Sequence, residues 1–271
     1  MTPRFALAAL LALSAPGFPA FAQDDGGGIG PAPAEARGIL IKSVKAMGGR
    51  EALVRIRSAV MAINPKEGPI KERHVLRLDG RAMHYASRRK SGAGFDVVVG
   101  GGQAFLCDRS KEGKATYVED LNGDDACEGA YERDVLFMPF LLVHLVEDKA
   151  KLSYVGRNSK GHHVIKALVT PPRGNRHEKP FVIRLRFHKD THLLIAAMGV
   201  VPLGQDKGKK RYCEYLDYKP QRFGPATLTL PSKLRDKRGK ELPARDFDVR
   251  WLLNSDLPTD LFVRPNVVRK D

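Results

Sequence analysis

The chain is poor in cysteine, in aromatic residues and in acidic charge. Three cysteines cannot hold 271 residues together, which excludes a disulfide-rich miniature fold. Hydrophobic residues make up 42% of the chain and aromatic residues 7%, a composition that is typical of a globular protein and excludes intrinsic disorder. Outside the N-terminus there is no apolar run of about eighteen residues, so a polytopic membrane protein is excluded as well.

The N-terminus has the features of an export signal. Arg4 precedes an apolar stretch from Phe5 to Ala15, and Ala20-Phe21-Ala22 supplies the small residues that signal peptidase accepts. We therefore predict a signal peptide over residues 1–22, cleaved after Ala22, and a mature protein in the periplasm. An uncleaved anchor is the alternative, although the stretch is short for a bilayer core of about 30 Å.

The mature chain is predicted to begin with a leader and two helices. Residues 23–33 are rich in glycine and proline and predict a flexible leader, followed by a single domain over residues 34–271. Apolar residues at steps of four, four and three predict a helix from Glu35 to Met47. Gly48-Gly49 ends that helix, and a second short helix is predicted from Arg50 to Ile56.

From residue 57 onward the dominant repeat is two, which indicates strands with one buried face. No strand alternates regularly with a helix, so we predict an α+β, mostly β fold with an antiparallel sheet. The predicted strands are Ser58–Ile63, Ile70–Leu78, Ala82–Ser87, Phe95–Val99, Gln103–Cys107, Ala115–Glu119, Leu152–Gly156, His163–Val169, Phe181–His188, Leu193–Val201, Lys210–Tyr218, Ala226–Leu230 and Phe247–Asn254.

One apolar helix interrupts the strands, from Tyr131 to Val146. Pro139 lies inside it and is expected to kink or restart the helix, because proline removes a backbone donor and clashes with the preceding turn. The segment is apolar on nearly every side, whereas a helix that covers one sheet face needs only an apolar stripe. It is therefore either a kinked core helix or a lid that contacts a ligand.

Three segments resemble the periplasmic outer-membrane lipoprotein-sorting and lipoprotein-carrier (LolA-like) family. They are Met47-Gly48-Gly49-Arg50-Glu51-Ala52-Leu53 running into Ile56-Arg57-Ser58; Tyr154-Val155-Gly156-Arg157; and Leu230-Pro231-Ser232-Lys233 followed by Phe247–Asn254 and Leu261-Phe262-Val263-Arg264-Pro265. The resemblance implies a curved antiparallel half-barrel with helices over its concave face and a hydrophobic cavity beneath them. The chain departs from the dedicated carrier in its greater length and in lacking a recognisable counterpart of the carrier's ligand-gating arginine.

What the resemblance implies for function is non-catalytic binding and transfer of acylated cargo, a lipoprotein or a lipid, in lipoprotein sorting to the outer membrane. No cofactor is implied, and the expected partners are the acyl chain and a protein of the inner or outer membrane. The alternative is a periplasmic sensor or interaction module of the same fold that regulates an envelope partner protein. The candidate acyl-contact residues are Phe137, Met138, Phe140, Leu141, Leu142 and Leu145 on the apolar helix and Phe181, Ile183, Leu185 and Phe187 on the sheet.

The excess of basic residues is the second functional lead. Lysine and arginine outnumber aspartate and glutamate by 46 to 31, and basic clusters lie near predicted turns and strand ends. No nucleic-acid recognition motif accompanies the charge, so we predict no nucleic-acid partner and favour peripheral contact with an anionic membrane surface. General solubility is the simpler explanation.

No catalytic pattern is convincing, and we predict a protein without catalytic or metal-binding residues. Neither His162-His163 nor the pair His188 and His192 has the helical spacing of a zinc protease. Asp120, Asn122 and Asp124 imitate the first ligands of a calcium loop, but its later positions are wrong and a solvated turn is expected. An envelope hydrolase with an unrecognised site is the remaining enzymatic alternative.

Two of the three cysteines could pair. Cys107 ends one predicted strand and Cys127 lies beyond the next, and closing a loop of about twenty residues would stabilise the protein by about 3 kcal/mol. The sequence leaves open whether this bond forms or whether all three cysteines are buried thiols.

Overall fold

The computed structural model describes residues 33–63, 71–147, 150–172, 179–204, 206–238 and 244–267. The predicted signal peptide and nearly all of the predicted leader lie outside the described residues. The helices are α1 (Pro33–Ala46), α2 (Arg50–Val54), α3 (Gly123–Leu136) and α4 (Met138–Glu147). Among the described residues no helix combines the length and the apolar character that crossing a membrane requires.

The strands form one open antiparallel sheet, which confirms the predicted fold class. The thirteen strands are β1 (Ser58–Ile63), β2 (Lys71–Arg77), β3 (Ala82–Arg88), β4 (Gly94–Gly100), β5 (Gln103–Arg109), β6 (Ala115–Asp120), β7 (Leu152–Arg157), β8 (His163–Val169), β9 (Phe181–Phe187), β10 (Leu194–Val200), β11 (Lys210–Phe223), β12 (Ala226–Arg238) and β13 (Arg245–Leu253). Their order in the sheet is β6-β5-β4-β3-β2-β1-β13-β12-β11-β10-β9-β8-β7.

This order explains why α3 and α4 cover the sheet. All neighbouring strands are consecutive in the chain except β1 and β13, so β6 and β7 are the two edges. The chain between β6 and β7 must therefore pass from one edge of the sheet to the other. The helices α3 and α4 make this connection across one face, which is the face that carries the larger apolar cluster.

Contacts of α3 show that the sheet is strongly curved. Gly129 lies against Val99 of β4, where a Cβ atom on Gly129 would be 2.8 Å from Val99 Cγ2. Three residues further along α3, Glu132 accepts a hydrogen bond from Arg211 of β11 at 3.0 Å. Six strand spacings separate β4 from β11, which is about 29 Å in a flat sheet. A single helix of about 10 Å diameter can touch both strands only if the sheet bends around it.

The predicted apolar helix is two helices. The helix α3 ends at Leu136, Phe137 caps it, and α4 begins at Met138, one residue before Pro139. The amide of Phe137 donates to the carbonyl of Arg133 at 3.0 Å, and the amide of Phe140 donates to the carbonyl of Phe137 at 2.9 Å. Pro139 has no amide hydrogen and so sits in the first turn of α4, where none is needed. It restarts the helix, one of the two outcomes that the sequence predicted.

A second, smaller apolar cluster lies on the outer face of β1–β5. Alternate residues of these strands, among them Val60, Val75, Val98 and Phe105, point away from the helices and form it together with Phe262. The C-terminal segment is held across this face, because the Arg77 guanidinium lies 5.1 Å from the centre of the Phe262 ring. Arg264 then donates to Asp120 at 2.8 Å, near the β6 edge.

A buried carboxylate organises the outer face beside this cluster. Asp96 of β4 accepts hydrogen bonds from Arg88 of β3 and, at 2.6 Å, from Nε of Arg109 of β5. The Nε2 atom of His84 lies 3.5 Å from the same carboxylate. Burial by itself would raise the pKa of Asp96, but the hydrogen bonds from His84, Arg88 and Arg109 outweigh it and lower the pKa to about 2.

Replacing Asp96 with asparagine is expected to cost about 2 kcal/mol of stability at pH 7, because the pKa of the carboxyl is lower in the folded than in the unfolded protein. That stabilisation is complete above the ordinary carboxyl pKa near 4 and disappears as the pH falls toward 2. Urea unfolding as a function of pH measures it. The matched control is Asp79→Asn, since Asp79 is 82% exposed beside Arg77. Equal pH profiles for the parent chain and Asp96→Asn would contradict this assignment.

Candidate functional site

The structure brings the ten candidate acyl-contact residues into one apolar cluster. Six of them lie on α4 or on Phe137, which links α3 to α4, and four lie on the helix-facing side of β9. The alternation along β9 is complete, with buried residues at every second position from Phe181 to Phe187. The ten residues therefore share one apolar cluster, to which the helices contribute six and β9 contributes four.

The expected open cavity is not present at these residues. Nine of the ten side chains are no more than 3% exposed, and Phe181 is 7% exposed. A side chain that lined an open cavity would retain surface accessible to solvent. The prediction of an open cavity was therefore wrong for this state of the protein. The physical reason is that apolar side chains of the helices and of the sheet pack against one another and fill the concave face.

Trp251 of β13 belongs to the same cluster and was not among the predicted contacts. Its ring centre lies 4.9 Å from that of Phe140 and 5.8 Å from that of Phe137, both in edge-on geometry. Its Nε1 donates to the carbonyl of Pro231 at 2.6 Å. The alternating pattern of β13 placed Trp251 on the buried face, but it could not show that β13 lies under α4.

Hydrogen bonds and ion pairs fasten the α3–α4 segment at a few points. Tyr215 of β11 donates from its hydroxyl to the carbonyl of Val135 in α3. Near the end of α4, Arg37 of α1 donates to the carbonyl of Val146 at 2.7 Å. Arg50 of α2 pairs with Glu147 at 2.5 Å, and its side chain is 66% exposed. The fastening at the end of α4 therefore comes from the two N-terminal helices.

One buried ion pair ties α3 to the far side of the sheet. Arg211 of β11 donates to both carboxylate oxygens of Asp236 in β12, at 3.2 and 3.1 Å, and to Glu132 of α3 at 3.0 Å. Burial disfavours the charged guanidinium, but Asp236 and Glu132 outweigh this and raise the pKa of Arg211. The group stays charged, and the arrangement fixes where α3 crosses β11.

A second buried ionic group lies between α3, the turn before β3 and the end of β8. Arg133 of α3 is fully buried and donates to Asp134 at 2.7 Å and to the carbonyl of Arg81. Arg81 in turn donates to the carbonyl of Thr170 at 3.0 Å. These bonds join α3 to the turn before β3 and to the end of β8, so they hold the two arms of the sheet together.

The hydroxyl of Tyr131 is buried in this interior and has no hydrogen-bond partner among the described residues. Tyr131 packs on Phe181 with ring centres 4.8 Å apart, and its hydroxyl lies over Gly199 of β10, 2.4 Å from where a Cβ atom would be. Burial raises the pKa of Tyr131, so the phenol is neutral. Gly199 thus provides the space that a tyrosine on α3 occupies.

The four histidines of the second half of the sheet form two ring pairs at neighbouring turns. His162 and His188 have ring centres 5.0 Å apart, and those of His163 and His192 are 5.8 Å apart. The Nδ1 atoms of His162 and His188 accept backbone amide hydrogens at 3.3 Å, which orients both rings as surface turn residues. Among the described residues no group of three or more potential ligands is placed to hold a metal ion.

The calcium-like motif is the start of a helix. Asn122 caps α3 by accepting hydrogen bonds from the amides of Asp124 and Asp125, both at 2.9 Å. Its own side-chain amide donates to the Asp125 carboxylate at 2.8 Å. The pattern of acidic and amide residues is therefore explained by capping, since acidic side chains favour the first turn of a helix.

All three cysteines, each of which lies in the described part of the chain, are buried thiols with no disulfide between Cys107 and Cys127. This is the second of the two alternatives that the sequence left open. Cys107 points to the outer face of β5 and belongs to the smaller apolar cluster, whereas Cys127 is in the first half of α3. Burial raises the pKa of the Cys107 thiol.

Comparison with known proteins finds chains of similar structure, but none of similar sequence. No family model and no curated protein matches the chain. The chain is similar to a LolA superfamily protein of Nitrosomonas europaea, with 10% identity and a TM-score of 0.45 over 84% of this chain and 97% of that one. It is also similar to the Mycobacterium tuberculosis lipoprotein LppX, with 12% identity and a TM-score of 0.26 over 64% of this chain and 90% of that one.

The two buried tyrosines of the interior make a matched pair for measuring hydrogen bonding. We expect Tyr215→Phe to lose about 1 kcal/mol, because the carbonyl of Val135 loses its donor. Tyr131→Phe should be neutral or slightly stabilising, because the hydroxyl that it removes has no partner. Urea unfolding of both variants measures the difference. A loss in Tyr131→Phe as large as that in Tyr215→Phe would contradict the assigned environments.

Proposed function

We propose that the protein binds the acyl chain of a lipid or lipoprotein, without catalysis, between α4 and the concave face of the sheet. The observation that carries the proposal is the burial of the largely apolar helix α4 against Trp251, within the same apolar cluster as the concave face of β9. In the closed state the helix occupies the position that the acyl chain would take. Binding therefore requires α4 to move aside.

The movement of α4 has a low cost in free energy if an acyl chain covers the apolar surface that α4 leaves. Moving a chain of about fifteen methylenes into water costs about 12 kcal/mol, at about 0.8 kcal/mol for each methylene. A cargo of this kind needs an apolar surface at every stage of transfer. The residues that α4 leaves on β9 would be covered again by the acyl chain, so the concave face never has to contact water.

The polar contacts suggest which part of the α3–α4 segment moves. The helix α3 is held by two buried ionic groups, through Glu132 and through Arg133, and by the Tyr215 hydroxyl. The end of α4 is held by Arg37 and by the exposed Arg50–Glu147 pair, and an exposed pair contributes little. We propose that α3 stays in place and that α4 swings from the break at Phe137 and Met138.

The finer parts of the proposal concern where the protein acts. Export to the periplasm, cleavage after Ala22 and a role in sorting lipoproteins to the outer membrane follow from the sequence pattern and the family resemblance. A receiving protein in the inner or outer membrane belongs to the same proposal. The sensor alternative makes a different prediction, since a sensor would retain one partner protein and not an acyl species.

Trp251 provides a direct test, because it is the only tryptophan of the chain and contacts both Phe137 and Phe140. We expect palmitic acid to change the emission of Trp251. A palmitic acid brominated along its chain should quench the emission strongly, because bromine acts only at contact distance. Titration with the two fatty acids, followed by fluorescence, gives both the affinity and the position of the chain. Unchanged emission with both fatty acids would refute binding at this site.

A matched pair of variants separates binding from stability. Phe140 of α4 is 1% exposed and packs on the concave side of the sheet. Phe105 of β5 is 2% exposed and points to the outer side. Both Phe140→Leu and Phe105→Leu should lose about 1 kcal/mol of stability. Only Phe140→Leu should change the dissociation constant for palmitic acid. If the two variants changed the affinity equally, the acyl chain would not bind under α4.

A further inference from the structure

Positive charge is concentrated in one part of the sheet. Residues 150–172 and 179–204, which form β7 to β10 and their turns, contain eight lysine or arginine residues and a single acidic residue, Asp190. The whole chain has 46 basic and 31 acidic residues, so the imbalance in this part is far above the average. The eight are Lys151, Arg157, Lys160, Lys166, Lys179, Arg184, Arg186 and Lys189.

The strand register places several of these residues on the outer face. Lys166 of β8 is directly opposite Arg184 of β9, and Arg186 is opposite Val164. Their neighbours along β9, Ile183 and Leu185, point to the concave face and are fully buried. The pairing of His162 with His188 continues the same outer row into the turns, where Lys160 and Lys189 lie. We call Lys160, Arg184, Arg186 and Lys189 the basic face; Lys166 lies beside them but is only 8% exposed.

Three of these cations lie near His162. Burial lowers the pKa of His162, and the charges of His188, Arg186, Lys160 and Lys189 lower it further. Asp190, the one acidic residue in residues 150–172 and 179–204, lies 3.8 Å from the Lys189 ammonium, and its side chain is 69% exposed.

Polar contacts mark where the basic face ends. The Arg186 guanidinium lies over the Tyr212 ring of β11 at 5.7 Å. The Tyr212 hydroxyl donates to Glu214 at 2.6 Å, and Arg235 of β12 lies 3.6 Å from the same carboxylate. Beyond β10 the outer face therefore alternates in sign, because Arg235 also pairs with Asp246 at 2.7 Å.

Apolar side chains are interleaved with the cations. Val164 and Val182 point outward on β8 and β9, and Met198 of β10 is opposite Arg184. Val200 at the end of β10 is 46% exposed. Proteins that bind single-stranded nucleic acid alternate cations with aromatic rings on which bases stack. Here the rings of His162, His188 and Tyr212 lie at the margins of the basic face, and the residues beside Arg184 are valine and methionine. Cations with short apolar residues fit an anionic lipid surface, where the cations meet the headgroups and the apolar groups enter the interface.

We propose that the basic face docks the protein on a bilayer that contains anionic phospholipids. The inference goes beyond acyl binding and does not depend on it, because the basic face and the concave face are opposite sides of the same strands. The protein could then present α4 and the concave face while its outer face rests on the membrane.

Sedimentation of the full chain with phospholipid vesicles tests the proposal. We expect binding to vesicles of phosphatidylcholine with phosphatidylglycerol, weaker binding at high salt, and no binding to phosphatidylcholine alone. The double variant Arg184→Gln with Arg186→Gln should bind about thirtyfold more weakly. The control is Arg89→Gln with Lys90→Gln, in the exposed turn between β3 and β4, which removes the same charge and should bind as the parent chain does.

Three outcomes would overturn the proposal. The parent chain could fail to sediment with the anionic vesicles, or both double variants could lose the same affinity, which would reduce the effect to net charge. The chain could also bind single-stranded DNA more tightly than the vesicles, which would assign the face to nucleic acid. If the double variant in β9 is destabilised, Lys160→Gln with Lys189→Gln in the exposed turns replaces it, with the same direction expected. Trp251 quenching by brominated palmitic acid is measured without vesicles, so failure of one proposal leaves the other testable.

Discussion

The packing of α4 into the curve of the sheet is the contact on which the rest of the structure depends. The sheet is open and has two edges, so the connection from β6 to β7 has to cross it, and the crossing segment ends in α4, the most apolar of the described helices. Contacts of α3 with β4 and β11 set the curvature, because strands six spacings apart meet one helix. Without the helices, β9 and β13 would expose their apolar residues to water.

Different interactions stabilise the two faces of the sheet. The concave face is apolar, and its polar groups are at the ends of α3 and α4, where buried ion pairs through Arg211 and Arg133 fix the path of the helix. The outer face is organised around Asp96 in the first half of the sheet and carries the basic face in the second half. Buried ion pairs of this kind fix geometry more than they add stability, because desolvation offsets much of the attraction.

A closed interior is compatible with a binding protein only if one element can leave at low cost. Apolar contacts are not directional, so α4 and an acyl chain can replace one another on β9. The contacts of α3 are directional and include a buried guanidinium, which makes α3 costly to displace. This difference between neighbouring helices is the reason why we propose that α4, and not α3, moves. The proposed acyl site lies on the concave side of the sheet and the basic face on the outer side, so membrane contact and cargo binding can be tested one at a time.

The sequence determined by itself whatever depends on neighbouring residues along the chain. Alternation, clear in β9 and β13 and weaker elsewhere, predicted the thirteen described strands, although β11 and β12 extend to Phe223 and Arg238, beyond their predicted ends. Gly48-Gly49 ended the first helix, and Pro139 restarted the apolar one. The predicted contact residues are all buried in one apolar cluster, because alternation on β9 and the apolar composition of α4 both indicate burial. Only the tertiary structure decided what depends on long-range pairing. The antiparallel pairing of β1 with β13 left β6 and β7 as the two edges and placed Trp251 under α4. A filled concave face, likewise, follows from how side chains fit in three dimensions, and no local pattern encodes it.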